Sequence, residues 1–172
     1  MKKLLLALPL IFGIISCEDD ILNSVPDNYT LNLDGRLDTT NEGLYVLEMN
    51  PQGISQQVIH RISGQLLNHN EEPLYPQKVE WESSHYWVMT DTAYAYVKRR
   101  MNLFGDWVNT RDTVYVTGFG GTIVPTINPA SYSGTNGEIN TMIAPIPQMA
   151  GDTMIIVCKF QNIKEEIKII LQ

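Results

Sequence analysis

Met154-Ile155-Ile156-Val157-Cys158 is a continuous apolar run of strand length that follows the turn residues Gly151-Asp152. A run this short, with no polar alternation, suits a strand buried inside a β-sandwich. Outward from it, the chain keeps strand periodicity in both directions. Ile163, Ile167, Ile169 and Leu171 lie on one face of the last segment, and Glu166, Lys168 and Gln172 on the other, which predicts a half-exposed final strand. Upstream, Ile139 to Ala144 follows Asn136-Gly137, a strong tight-turn pair. Val79-Glu80-Trp81-Glu82-Ser83 and Thr113-Val114-Tyr115-Val116-Thr117 each alternate with period two. Gln57 to Leu67 carries Ile59, Ile62, Leu66 and Leu67 around Gly64, and Leu44 to Met49 is stopped by Asn50-Pro51. In Thr92 to Leu103, Tyr94 and Tyr96 alternate with Ala93 and Ala95, which favours strand over helix. With 9 prolines and 12 glycines punctuating the chain, the expected class is all-β, an antiparallel sandwich of about seven or eight short strands.

The first residues read differently. Lys2-Lys3 precede an apolar run from Leu4 to Ile15 that is shorter than the roughly 20 residues a membrane-spanning helix needs. This pattern reads as a secretion signal. Its end, Ile14-Ile15-Ser16-Cys17, resembles a bacterial lipobox, which implies cleavage before Cys17 and acylation of its sulfur, with residues 1–16 as the lipoprotein signal peptide. Two or three acyl chains hold a protein firmly to a membrane, at about 0.8 kcal/mol per buried methylene. Glu18-Asp19-Asp20 follow at once and are similar to the export signal of surface-exposed lipoproteins in some Gram-negative bacteria; a soluble spacer is the other reading.

The full chain of 172 residues has a formal charge of −7; without Lys2 and Lys3 it carries 10 basic and 19 acidic residues, or −9. Such a charge argues against a general nucleic-acid binder. Seven of the acids fall in residues 17–43, which read as an acidic tether poor in apolar residues apart from the alternating Tyr29, Leu31 and Leu33. Those three leave room for a docked strand, and the folded domain is expected over residues 44–172. Oxygen-bearing residues cluster from Asp34 to Asn41, but Arg36 stands where a calcium loop wants an acid or an amide, so no metal is expected there.

Ile62-Ser63-Gly64-Gln65-Leu66-Leu67, then Glu72-Pro73-Leu74 and Val79-Glu80-Trp81, resemble the opening of bacterial Ig-like domains of the invasin and intimin repeat kind. Ser133-Gly134-Thr135-Asn136-Gly137-Glu138 and Gly151 to Val157 look like the closing hairpin and penultimate strand of that fold. The resemblance spans roughly Val58 to Leu171 and implies a fold, not an activity; the stretch from Tyr86 to Gly121 is longer than such domains usually carry.

Catalytic constellations are scarce. His60, His69 and His85 are isolated, with no zinc spacing, and no Gly-x-Ser-x-Gly elbow is present. Gly118-Phe119-Gly120-Gly121 reads as a turn or bulge. Cys158, in its apolar run, reads as a buried core thiol. Aromatic residues concentrate instead: Trp81, Tyr86, Trp87, Tyr94, Tyr96, Phe104 and Trp107 fall within 27 residues. Trp81 suits the plug between two sheets, whereas Tyr86, Trp87 and Trp107, with His85 beside them, are candidates for a ligand surface on which a sugar ring could stack. Lys98-Arg99-Arg100 reads as a solvated strand end. Thr39, Thr92, Thr113 and Thr153 each follow an Asp, similar to an O-glycosylation motif of some Gram-negative bacteria, although turn-to-strand boundaries favour the same pair.

These features together suggest a lipid-anchored cell-envelope lipoprotein of the outer membrane, held through acylated Cys17, whose Ig-like module binds a protein or glycan partner without catalysis or a cofactor. An accessory glycan-binding lipoprotein using the middle aromatics is the alternative.

Overall fold

In a computed structural model, residues 28–50, 57–89, 94–116 and 124–172 are described. Cys17, Thr92 and the Gly118-Phe119-Gly120-Gly121 stretch lie outside them, as does the Trp87 side chain. Eleven strands follow in order: β1 (Thr30–Asp34), β2 (Tyr45–Leu47), β3 (His60–Leu67), β4 (Lys78–Ser83), β5 (His85–Met89), β6 (Tyr94–Met101), β7 (Trp107–Val116), β8 (Ala130–Tyr132), β9 (Glu138–Ile143), β10 (Thr153–Phe160) and β11 (Ile163–Leu171). A short 3₁₀ turn, Pro147–Met149, precedes β10.

Two sheets, β1-β3-β9 and β2-β11-β10-β4-β8, form the sandwich. Lettered as an immunoglobulin fold, they read A-B-E against A′-G-F-C and one further strand, so the all-β, Ig-like sandwich stands. Two details differ from expectation. β2 runs parallel to β11, so the second sheet is not wholly antiparallel. The described residues hold eleven strands instead of seven or eight, because the long middle of the chain builds a third sheet, β5-β6-β7, beside the two that make the sandwich.

Period-two alternation does the work in both packed sheets. Ile62 and Leu66 of β3 and Ile139 and Ile143 of β9 point inward, opposite Val79 and Trp81 of β4, Met154, Ile156 and Cys158 of β10, and Ile169 and Leu171 of β11. All of these are buried, each full burial of a large aliphatic side chain contributing about 1.5–3 kcal/mol. Val157 faces the other way and is also fully buried, because the third sheet crosses that outer face: the Trp107 indole N–H donates to its register partner Glu82. A strand covered on both faces needs no polar alternation, which explains the unbroken Met154–Cys158 run.

The boundary drawn at residue 44 moves toward the N-terminus. β1 pairs antiparallel with β3, Leu31 is buried, and the Tyr29 ring meets Phe160 edge-on at 5.0 Å. Three of the acids counted in the tether, Asp34, Asp38 and Glu42, therefore sit on the surface of the sandwich. Gly64 makes the docking of β1 feasible: a Cβ there would lie 2.5 Å from the Asn32 carbonyl oxygen.

The Asn136-Gly137 turn is present, with Gly137 at φ 76° and its N–H bonded to the Gly134 carbonyl. It does not close a two-strand hairpin, however. The strand before it, β8, pairs with β4, and the strand after it, β9, pairs with β3, so the turn carries the chain from one sheet to the other.

Candidate functional site

The candidate ligand residues Tyr86 and Trp107 meet through Arg99, a residue that the sequence assigns to a solvated strand end. Tyr86 is the second residue of β5, just past the bend at Ser84, and Trp107 begins β7; the middle strand β6 brings Arg99 between them. The Arg99 guanidinium carbon lies 4.6 Å from the Tyr86 ring centroid and 5.0 Å from that of Trp107. Its Nε and Nη2 both donate to the Ser83 carbonyl, at 3.2 and 2.6 Å. Burial lowers the Arg99 pKa somewhat, yet a guanidinium stays charged under any physiological condition. Reading Lys98-Arg99-Arg100 as a solvated strand end is therefore corrected: only Arg100 is exposed, while Arg99 is stacked and Lys98 donates to Asp152 at 2.8 Å.

Next to this stack runs an open cleft of about 630 Å³ between β4 and the segment before β8, with Tyr86, Arg99, Glu80, Glu82, Pro125 and Pro129 among its walls. Tyr86 keeps half of its surface open, at 50% exposure. The acids on the walls are already paired, Glu82 with Lys159 at 2.8 Å and Glu80 with Lys78 at 3.3 Å. Arg99 makes no ion pair among the described residues, though the Glu82 charge acts on it, so the lining offers an aromatic face, a cation and several satisfied polar groups. That combination can stack a ring and donate hydrogen bonds to it.

Trp107 is partly buried and its N–H is committed to Glu82, so it supports Arg99 more than it faces outward. Trp87 occupies the β5 position opposite Tyr96. Trp81, at 2% exposure, is the expected core plug; its indole N–H donates to the Ser131 hydroxyl at 2.9 Å.

His85 leaves the candidate surface altogether, being 3% exposed. Its Nε2 lies 3.2 Å from Asp152 Oδ2 and its Nδ1 lies 3.0 Å from Ser84 Oγ. With the ring proton on Nε2 facing the carboxylate, the Ser84 hydroxyl donates to Nδ1 and itself accepts the Ile155 N–H at 2.9 Å. The order Ser, His, Asp is that of a hydrolytic triad. The geometry is that of a brace: Ser84 is buried, and its oxygen already holds a backbone proton. Burial holds the His85 pKa below its ordinary value, outweighing the pull of Asp152. Burial acts to raise the Asp152 pKa, but hydrogen bonds from Lys98 and His85 prevail and lower it. Tyr96 completes the brace, its hydroxyl donating to the Gln148 carbonyl at 2.9 Å; burial, then the Asp152 charge, push its pKa up to about 12.

Cys158 is buried, and burial pushes its thiol up to about 12. Thr39, Thr113 and Thr153 are exposed; Thr153 begins β10 and Thr113 lies within β7. Asp34 Oδ1 accepts the Arg36 N–H at 2.8 Å, a local turn in the stretch considered for calcium. Among the described residues, no group of three or more His, Cys, Asp or Glu side chains could hold a metal ion.

No protein-family model, no curated protein and no solved structure matches this chain.

Proposed function

We propose that the chain is a cell-envelope lipoprotein, anchored to the outer membrane through acylated Cys17, and that its sandwich is a non-catalytic binding module. The Lys2-Lys3 start, the apolar run and Ile14-Ile15-Ser16-Cys17 support the anchor. The observation that carries the binding role is the half-open Tyr86 ring on the cleft, backed by the Arg99 guanidinium stacked against it. Triad-like geometry exists at Ser84, His85 and Asp152, but its serine oxygen faces the protein interior, which weighs for binding over hydrolysis.

The same cleft favours a second reading, accessory glycan binding. An aromatic face with hydrogen-bond donors beside it suits a sugar, whose ring stacks while its hydroxyls stay hydrated. Retention on immobilised neutral and acidic polysaccharides, compared between the native protein and Tyr86→Ala, separates the two. Retention that disappears in Tyr86→Ala supports glycan binding. No retention of the native protein on any of them leaves a protein partner as the object of the module.

A further inference from the structure

The β6–β7 hairpin ends in Asn102-Leu103-Phe104-Gly105-Asp106. This turn is closed from within. Asn102 N–H donates to the Asp106 carbonyl at 2.9 Å and Gly105 N–H to the Asn102 carbonyl at 3.1 Å. The Asn102 side-chain oxygen accepts from Phe104 N–H and Asp106 N–H, each at 2.9 Å. On this ordered turn stand two large apolar side chains with almost no cover, Leu103 at 102% and Phe104 at 90% exposure. Turn apices ordinarily carry small or polar residues, so the pair is out of place unless something covers it.

Where the chain enters the fold indicates what that is. Tyr29, next to the start of β1, stacks on Phe160 at the end of β10, and Phe160 pairs with Ile163. The following residue, Lys164, reaches across to the hairpin: its ammonium donates to Met101 Sδ at 3.7 Å, and a Cβ on Gly105 would lie 3.3 Å from it. The hairpin apex and the point where the N-terminal segment joins the sandwich thus share one end of the molecule. From Cys17 to Asn28 are eleven peptide steps, a reach of at most about 40 Å even when fully extended, so an acylated Cys17 keeps this end beside the bilayer. Exposed Arg100 and Lys164 flank the apex, with exposed Asp106 and Glu165 also near it among the described residues, and the two cations suit the phosphates of a lipid surface.

We infer that Leu103 and Phe104 form a second membrane contact, dipping into the lipid surface to which Cys17 is anchored. This rests on the lipid-anchored reading proposed above. Two side chains are too small an apolar area to hold a free protein on a bilayer, but the anchor raises their effective concentration at it. The contact therefore depends on acylation, and it fixes the orientation of the module over the membrane.

The test uses the full acylated chain in phosphatidylethanolamine–phosphatidylglycerol vesicles, with Phe104→Cys carrying an environment-sensitive dye; Cys158 is buried and does not compete for the label. Tyr115→Cys, at an exposed position near the far end of β7, is the control. The dye at 104 should shift to the blue and be quenched by bromine-labelled lipid, while the dye at 115 is not, and Leu103→Ser should weaken the quenching several-fold. If the protein floats with the vesicles but the two dyes behave alike, the membrane contact is overturned and the anchor stands. A blue shift that appears with rising protein concentration in the absence of vesicles would assign the apex to a second copy of the chain instead. Failure of the native chain to float with vesicles would remove the anchor, and the inference with it.

Discussion

Replacing Trp81 by alanine empties a site that holds the two sheets apart. At 2% exposure the indole buries nearly all of its surface, about 200 Å² for a tryptophan, which at about 25 cal/mol per Å² sets a scale of about 5 kcal/mol. Two features reduce the loss. Ser131, which accepts the indole N–H, is only half-buried and can turn to water, and Trp81 borders the cleft, so water can enter part of the space left behind. The expected cost is about 3–4 kcal/mol, within the usual range for large-to-alanine changes in a core. In a chain of this size each kcal/mol lowers Tm by about 2–4 °C, so Trp81→Ala should melt about 10 °C below the native protein. Tyr86→Ala removes a half-exposed ring and its stacking on Arg99, while Arg99 keeps Trp107 and the Ser83 carbonyl, for about 1 kcal/mol. Thermal melts by circular dichroism at one protein concentration compare the two directly. A Tyr86 variant that melts as low as the Trp81 variant would show that the ring belongs to the core, and the argument for a binding cleft would lose its main support.

Cys17→Ser should shift the protein out of the membrane fraction and abolish labelling with a fatty-acid probe; continued labelling would contradict the lipobox. Changing Glu18, Asp19 and Asp20 together to alanine should reduce cleavage by external protease in intact cells while membrane attachment persists, if those acids direct surface export. The brace gives a pH dependence with a defined sign. His85 is held neutral in the fold more firmly than in the unfolded chain, so stability is full above the ordinary histidine pKa and declines as pH falls through it toward the lower native value. Urea midpoints between about pH 7.5 and 5 should fall, and His85→Gln, which retains a donor toward Asp152, should flatten that part of the profile. Below it, the lowered pKa of Asp152 adds stability that persists until its carboxylate is protonated in the fold. Tyr96→Phe should cost about 0.5–1.5 kcal/mol in the same assay, the value of one hydrogen bond to the Gln148 carbonyl.

Sandwich architecture was legible because its signals are local. The Met154–Cys158 run, the alternation through Trp81 and the two-faced final strand each mark a strand without help from distant residues. β1 was harder to assign because its two apolar residues, Leu31 and Leu33, sit in an acidic stretch, and Gly64, on another strand, admits its backbone. Pairing partners were not legible either. Nothing near Asn136-Gly137 announces that the strands on its two sides belong to different sheets. For the site, aromatic crowding pointed to the right region, and it brought in Tyr86 and Trp107. Arg99 was hidden within a basic triplet, where charge alone suggests solvent; the signal available was its β-alternation with the aromatic residues of neighbouring strands. His85 and Asp152 are 67 positions apart, a contact that only the fold can make.

The parallel pairing of β2 with β11 has a consequence for how the protein folds. Ile169, Ile170 and Leu171 lie opposite Tyr45, Val46 and Leu47, and Gln172 N–H donates to the Leu47 carbonyl at 2.9 Å. Among the described residues, β2 thus has β11, more than a hundred positions away in sequence, as its sheet partner. β11 also pairs with β10, at the centre of the same sheet. Closure of this sheet therefore waits on contacts more than a hundred residues apart in sequence, a separation that slows folding.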